Sequence, residues 1–241
     1  MIELLNNSNT MLLFKHAETH QLTYFNDRKS RVVLKKLKPK NIQELCDIYS
    51  LTRPITENKL HEYVANVLNP ESIEYKLESF KKYLKYTHGV LIYHEQLIAI
   101  IADMAKVTNY TAIVIVKAMQ TKNAVYLTIF KKYFVLGCQY NVDFVCYCTK
   151  NRFTINTAID IFWNDFLEES TLLFSYSSAL ICALKSYEEA KTEEELYIPP
   201  NSRKSKVLKS KGVTIIDVIR ILEHTLRVIL KNKQKRVITG L

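Results

Sequence analysis

The stretch Gln120-Thr121-Lys122-Asn123-Ala124-Val125 has the layout of a phosphate-holding turn. The apolar run before it, Ala112 to Met119, reads as a strand, and Lys122 to Leu136 reads as a helix. The first amides of a helix lack intrahelical acceptors and lie at the positive end of its dipole, so an anion can be held there by backbone alone. Lys122 would add a full charge. Such turns usually need glycine so that the backbone can approach the ligand. The whole chain has four glycines, Gly89, Gly137, Gly212 and Gly240, none of them in this turn. Val125, being β-branched, crowds the bend. Lys122, Asn123, Ala124 and Val125 are therefore the cofactor-binding candidates if the site is active, and the layout of a cofactor site is present without its usual contact residues.

Other chemistry-bearing residues have plainer readings. Cys146 and Cys148 are two apart in Val142 to Cys148, a second apolar run that reads as a strand. On a strand they face the same way as Phe144. No histidine lies near them, so small core residues are expected rather than zinc ligands. His88 and His94 flank Val90 to Tyr93 without ligand spacing. Ser177-Ser178 lacks the glycines that frame a hydrolase nucleophile. Asp103 and Asp143 read as solvated residues near strand ends. No catalytic residue and no metal site is assigned.

Five cysteines without a secretory pattern at Met1 to Thr10 suggest reduced thiols in a cytoplasmic setting. No apolar run approaches the eighteen or so residues of a membrane span. The net charge of +10 is unevenly spread. Residues 1–200 hold 23 Lys/Arg against 22 Asp/Glu, whereas residues 201–241 hold 11 against 2. Arg203, Lys204, Lys206, Lys209 and Lys211 follow Pro199-Pro200 in a charged linker spanning 187–212. From 213 to 241 a basic amphipathic helix is expected, with Ile219, Leu222 and Leu226 on its apolar stripe and Lys231, Lys233, Lys235 and Arg236 at its end. A docking arm for neighbouring protein subunits is the favoured reading of this tail, with nonspecific phosphate attraction second.

The positioning elements follow from periodicity. Residues 1–30 form an N-terminal extension with a possible hairpin arm. Arg31 to Leu37 reads as a strand. Ile42, Leu45, Cys46 and Tyr49 mark a helix, Leu60 to Leu68 a second, and Ile73, Leu77, Phe80 and Leu84 a third, started by Asn69-Pro70-Glu71. Val90 to Tyr93 and Leu97 to Ala102 read as paired strands. Thr154 to Leu167 reads as a helix, and Leu172 to Tyr176 with Ala179 to Leu184 as a final hairpin. Gly137 is expected to close the helix begun at Lys122.

This order over 31–186 resembles the GNAT superfamily of N-acetyltransferases, and Val33 to Leu45 looks like that family's first strand and helix. The resemblance implies an α+β fold, a GNAT-like mixed central sheet flanked by helices. It also places Asn123 and Val125 where the family's pyrophosphate loop has glycines. Phe162 or Trp163 stands where its proton-donating tyrosine belongs, and neither has a hydroxyl. The expected function is thus a non-catalytic GNAT-like interaction protein. The Lys/Asn/Ile/Tyr-rich wording resembles acetyltransferase-like virion proteins of short-tailed bacteriophages. That implies a ring or connector component of a head–tail or tail assembly, a homo-oligomer located in the virion, with no cofactor and no membrane. The alternative is an active acetyl-CoA-dependent N-acetyltransferase.

Overall fold

The protein was analysed as a computed structural model, and residues 8–196 are described. Eleven α-helices account for most of them: α1 Ser8–His16, α2 Arg28–Leu37, α3 Ile42–Leu51, α4 Glu57–Leu68, α5 Lys81–Leu84, α6 His94–Ala105, α7 Asn109–Gln120, α8 Ala124–Gln139, α9 Val142–Lys150, α10 Ile155–Glu169 and α11 Tyr176–Leu196. Short 3-10 turns at Pro54–Thr56, Pro70–Ser72, Glu78–Phe80 and Lys85–Thr87 join some of them.

The starts of six helices have one chemical cause. Asp27, Asn41, Thr108, Asn123, Asn141 and Thr154 stand just before α2, α3, α7, α8, α9 and α10, and each side chain accepts a hydrogen bond from the amide three residues on. Each cap satisfies an amide that the helix itself cannot, worth about 1 kcal/mol.

The helices pack into two lobes. In the first, α1 to α4 and α11 enclose a core that includes Met11, Phe14, Phe25, Leu34, Leu45, Ile48 and Tyr187. In the second, α5 to α10 enclose Phe80, Leu97, Ile101, Ile115, Phe134, Phe144, Phe162 and Phe166. Between the lobes the chain crosses twice in extended form. Residues 90–93 run parallel to residues 173–175, joined where the His94 amide donates to the Phe174 carbonyl at 3.0 Å and the Phe174 amide donates to the Ile92 carbonyl at 2.9 Å. Side chains of an extended segment alternate, so Ile92 and Phe174 enter the first core while Leu91 and Leu173 enter the second. Lys59 of α4 spans the same seam, paired with Glu169 and donating to the Leu91 carbonyl at 2.7 Å.

This architecture corrects the α+β expectation and with it the GNAT-like central sheet. The Tyr93–Phe174 bridge is the sole β contact among the described residues. Ala112 to Met119 lies in α7, Arg31 to Leu37 in α2, Leu97 to Ala102 in α6, Val142 to Cys148 in α9, and Ala179 to Leu184 in α11. The reason is burial at helical spacing. In α7 the buried residues include Ala112, Ile115, Val116 and Met119, which are one helical face although the run looks β-branched. The hairpin expected in 10–26 is α1 followed by a loop, and the third expected helix is broken into the turn Glu78–Phe80 and the short α5. Gly137 does not end α8, which continues to Gln139. It lies where α8 crosses the end of α6: a Cβ there would stand 1.9 Å from the Ala105 carbonyl oxygen. Of the C-terminal elements expected, the helix over 213–241 and most of the linker lie outside the described residues, and α11 runs on to Leu196.

Candidate nucleic-acid interface

Helices α8 and α10 pack against each other in the second lobe. Lys131 Nζ of α8 lies 2.7 Å from Asp160 Oδ1 of α10. Three residues further along both helices, the Phe134 and Trp163 rings are 5.3 Å apart. The Gln120 side chain, just before α8, donates to the Ser170 carbonyl, just after α10, at 3.4 Å. The turn before α8 therefore lies at the far end of α10, about the length of that helix from the turn that starts it.

Lys122 adopts φ 50° and Arg152 φ 57°, the left-handed region also entered by Ala17, Lys38, His88 and Lys106. Asn123 follows Lys122 directly and Thr154 lies two residues after Arg152; their side chains accept from the amides of Tyr126 and Thr157. Residues 120–126 and 149–154 are all exposed. Lys117 lies in the last turn of α7 and Lys150 ends α9, where cations complement the helix dipole. Tyr126 and Phe153 expose aromatic faces. Residues 104–159 hold seven Lys/Arg and one acidic residue, Asp143. Asp143 is occupied, since it accepts from the Ser79 amide at 3.0 Å. The exposed turn before α8 therefore presents Lys122 beside a helix start, an arrangement suited to a phosphate group.

The sequence singled out the turn at this site. Lys122, Asn123, Ala124 and Val125 form the exposed turn and first residues of α8, as a helix start, but a helix and not a strand precedes them. Lys117 was missed because the run that holds it reads as a strand. The structure does not bring Lys150 and Arg152 to this turn, which lies against Ser170. The signal that was available, the acid-free run from 104 to 142, was hidden by averaging charge over 200 residues. Arg203, Lys204, Lys206, Lys209, Lys211, Ile219, Leu222, Leu226, Lys231, Lys233, Lys235 and Arg236 lie outside the described residues.

The other candidates have structural partners. Burial raises the Asp103 carboxyl, but hydrogen bonds from Lys82 and Lys106 outweigh it and hold the group below its usual range. Phe162 and Trp163 are buried in the second core. Cys146 is exposed and Cys148 buried, because two residues along a helix turn to different sides. Ser177 Oγ lies 2.9 Å from Ser175 Oγ. His88 meets the Tyr63 ring edge-on at 5.3 Å, and burial lowers its pKa. No group of three His, Cys, Asp or Glu is placed to hold a metal ion among the described residues. No single helix there is long and apolar enough to cross a membrane.

The first lobe holds a polar cluster that periodicity did not reveal. Asp47 is fully buried and accepts from Tyr93 Oη at 2.6 Å, Gln43 Nε2 at 2.9 Å and Tyr63 Oη at 3.0 Å. Burial outweighs these bonds and pushes its carboxyl up to about 7.

A family model described as the bacterial DNA polymerase III alpha subunit finger domain matches residues 2–142. The match includes the Lys122 turn and ends before the Arg152 turn. DNA polymerase III subunit alpha of Staphylococcus aureus (strain COL) is 32% identical over 111 residues, 46% of this chain and 10% of that protein. The subunit of Staphylococcus epidermidis is 31% identical over the same length and shares. The chain thus spans about a tenth of the length of the curated relatives it matches. These matches overturn the expectation of a bacteriophage head–tail ring component located in the virion, and that of an acetyl-CoA-dependent transferase. With a match over more than half its length, the chain belongs to the family of the bacterial DNA polymerase III alpha subunit finger domain.

Proposed function

We propose that this chain contacts DNA during replication, holding the sugar–phosphate backbone at the exposed start of α8. The observation that carries the reading is the match of residues 2–142 to a polymerase finger family, within which the exposed turn at Lys122 opens a capped helix start. Lys122 would supply charge, with Lys117 behind it. Tyr126 would offer a face to exposed bases. Contacts of this kind set position and register and do not read sequence. Membership of a polymerase finger family supports primed template DNA as the ligand. The cations between Arg203 and Arg236 would add nonspecific, salt-sensitive attraction.

Fluorescence anisotropy with a labelled primer–template, run over a salt series, tests this. The double variant Lys117→Ala/Lys122→Ala is expected to bind several-fold more weakly. Its slope of log affinity against log salt should fall by about 1.8, since each phosphate contact contributes about 0.9. Lys81→Ala/Lys85→Ala, on α5 and the 3-10 turn that follows it, should leave both quantities unchanged. A double variant with wild-type affinity and slope would remove the reading.

A further inference from the structure

A second surface lies on the first lobe, away from the helix starts of α8 and α10. Residues 28–40 contain seven Lys/Arg and no Asp or Glu. Helix α2 turns Ser30, Val33 and Leu34 inward. Its outer stripe, Arg28, Val32 and Lys36, follows a spacing of four and lies along one face. Val32 is 60% exposed in the middle of that stripe. Opposite it, α4 offers Leu60, His61 and Val64. The two helices bound an open groove of about 450 Å³ with Val32, Val33, Leu60 and Val64 on its floor. Arg28, Lys29, Lys36 and His61 form the rim, and no carboxylate lines the groove among the described residues. Asp27, the nearest acid in sequence, is engaged in capping α2.

We propose that this groove docks a short amphipathic helix from a protein partner, with an apolar stripe flanked by Asp and Glu. The floor argues for protein over nucleic acid. Phosphates are satisfied by cations alone, whereas an apolar strip in water is relieved by side chains that fill it. The rim argues for the partner's charge: three cations of one sign around the strip favour carboxylates and disfavour a basic helix. The stripe from Arg28 to Lys36 spans about 12 Å at 1.5 Å per residue. That length accepts two to three turns, read through apolar residues at positions i, i+4 and i+7.

The probe is a fluorescent 15-residue peptide with leucines at those positions and glutamates between them. Its controls are a scrambled isomer of identical composition and a version with lysine for every glutamate. The full chain is expected to bind the probe at least tenfold more tightly than either control. Val32→Ser, which keeps every cation, should weaken binding about tenfold. Lys36→Glu should weaken it several-fold and flatten its salt dependence, with circular dichroism confirming that both variants fold. Equal binding of the scrambled isomer would mean nonspecific charge attraction and would overturn the proposal. So would no binding at millimolar probe. Loss of primer–template binding in Lys36→Glu, with probe binding unchanged, would make α2 a second nucleic-acid surface and overturn it as well.

Discussion

The two lobes solve the packing problem with different materials. The first buries a carboxylate under two tyrosine hydroxyls and a glutamine, alongside Thr19, Ser50, Thr56 and Ser186. The second is ring upon ring: Phe162 alone meets Phe80 at 6.1 Å, Phe144 at 5.5 Å, Tyr147 at 5.3 Å and Phe166 at 6.0 Å. Directional bonds fix one arrangement of α3, α4 and the crossing segment, but they tie it to a group that titrates. Dispersion and area hold the second lobe without charge, but only while its volume is filled. One lobe should therefore be sensitive to pH and the other to size.

The largest effect expected is from emptying the aromatic cluster. Phe162→Ala should destabilise the second lobe by about 3–5 kcal/mol in urea denaturation, the range for large aromatic truncations. A loss below about 1 kcal/mol would erase the contrast. The next concerns Asp47. Its carboxyl is raised in the folded chain, from 3.8 to about 7. Below about pH 4 it is protonated in both folded and unfolded chains. Between there and about 7 the unfolded chain loses the proton freely while the folded chain retains it. Stability should then decline as pH rises across that window, by up to a few kcal/mol at about 1.4 kcal/mol per unit. Asp47→Asn should flatten the decline, and Phe162→Ala should leave its slope intact. A profile that rises between pH 4 and 7 and is unchanged by Asp47→Asn would break the comparison. The smallest effect sharpens it. Gly137→Ala places a methyl against the Ala105 backbone, where no side chain can give way, and should cost about 1–3 kcal/mol. Its thermal midpoint should fall without altering the pH slope.

The sequence was more readable in some elements than in others. Ile42, Leu45, Cys46 and Tyr49 repeat at helical spacing, and α3 follows them. In α7, the run Ile113-Val114-Ile115-Val116 is apolar on several sides, so alternation and helical spacing both fit it. The cap decides the matter: Thr108 accepts from the Thr111 amide and starts a helix there. Asn141 does the same for α9. Lys122 was legible as part of a helix start because a helical run follows it. That its turn lies against the end of α10 was not, because Gln120 and Ser170 are 50 residues apart in sequence. Asp47 was hidden for a similar reason. Its partners Tyr63 and Tyr93 lie far along the chain, and an aspartate on an apolar stripe has no local mark of burial.

The packing of α11 on α3 and α1 has a consequence for synthesis. A ribosome delivers the whole of α5 to α10 before Ala179, Ala183 and Tyr187 emerge to join residues made near the start. The aromatic lobe can close as soon as its own residues are out. The earlier-made lobe must wait, its apolar groups uncovered, for a segment more than a hundred residues downstream, and at about 5–20 residues per second that delay lasts several seconds.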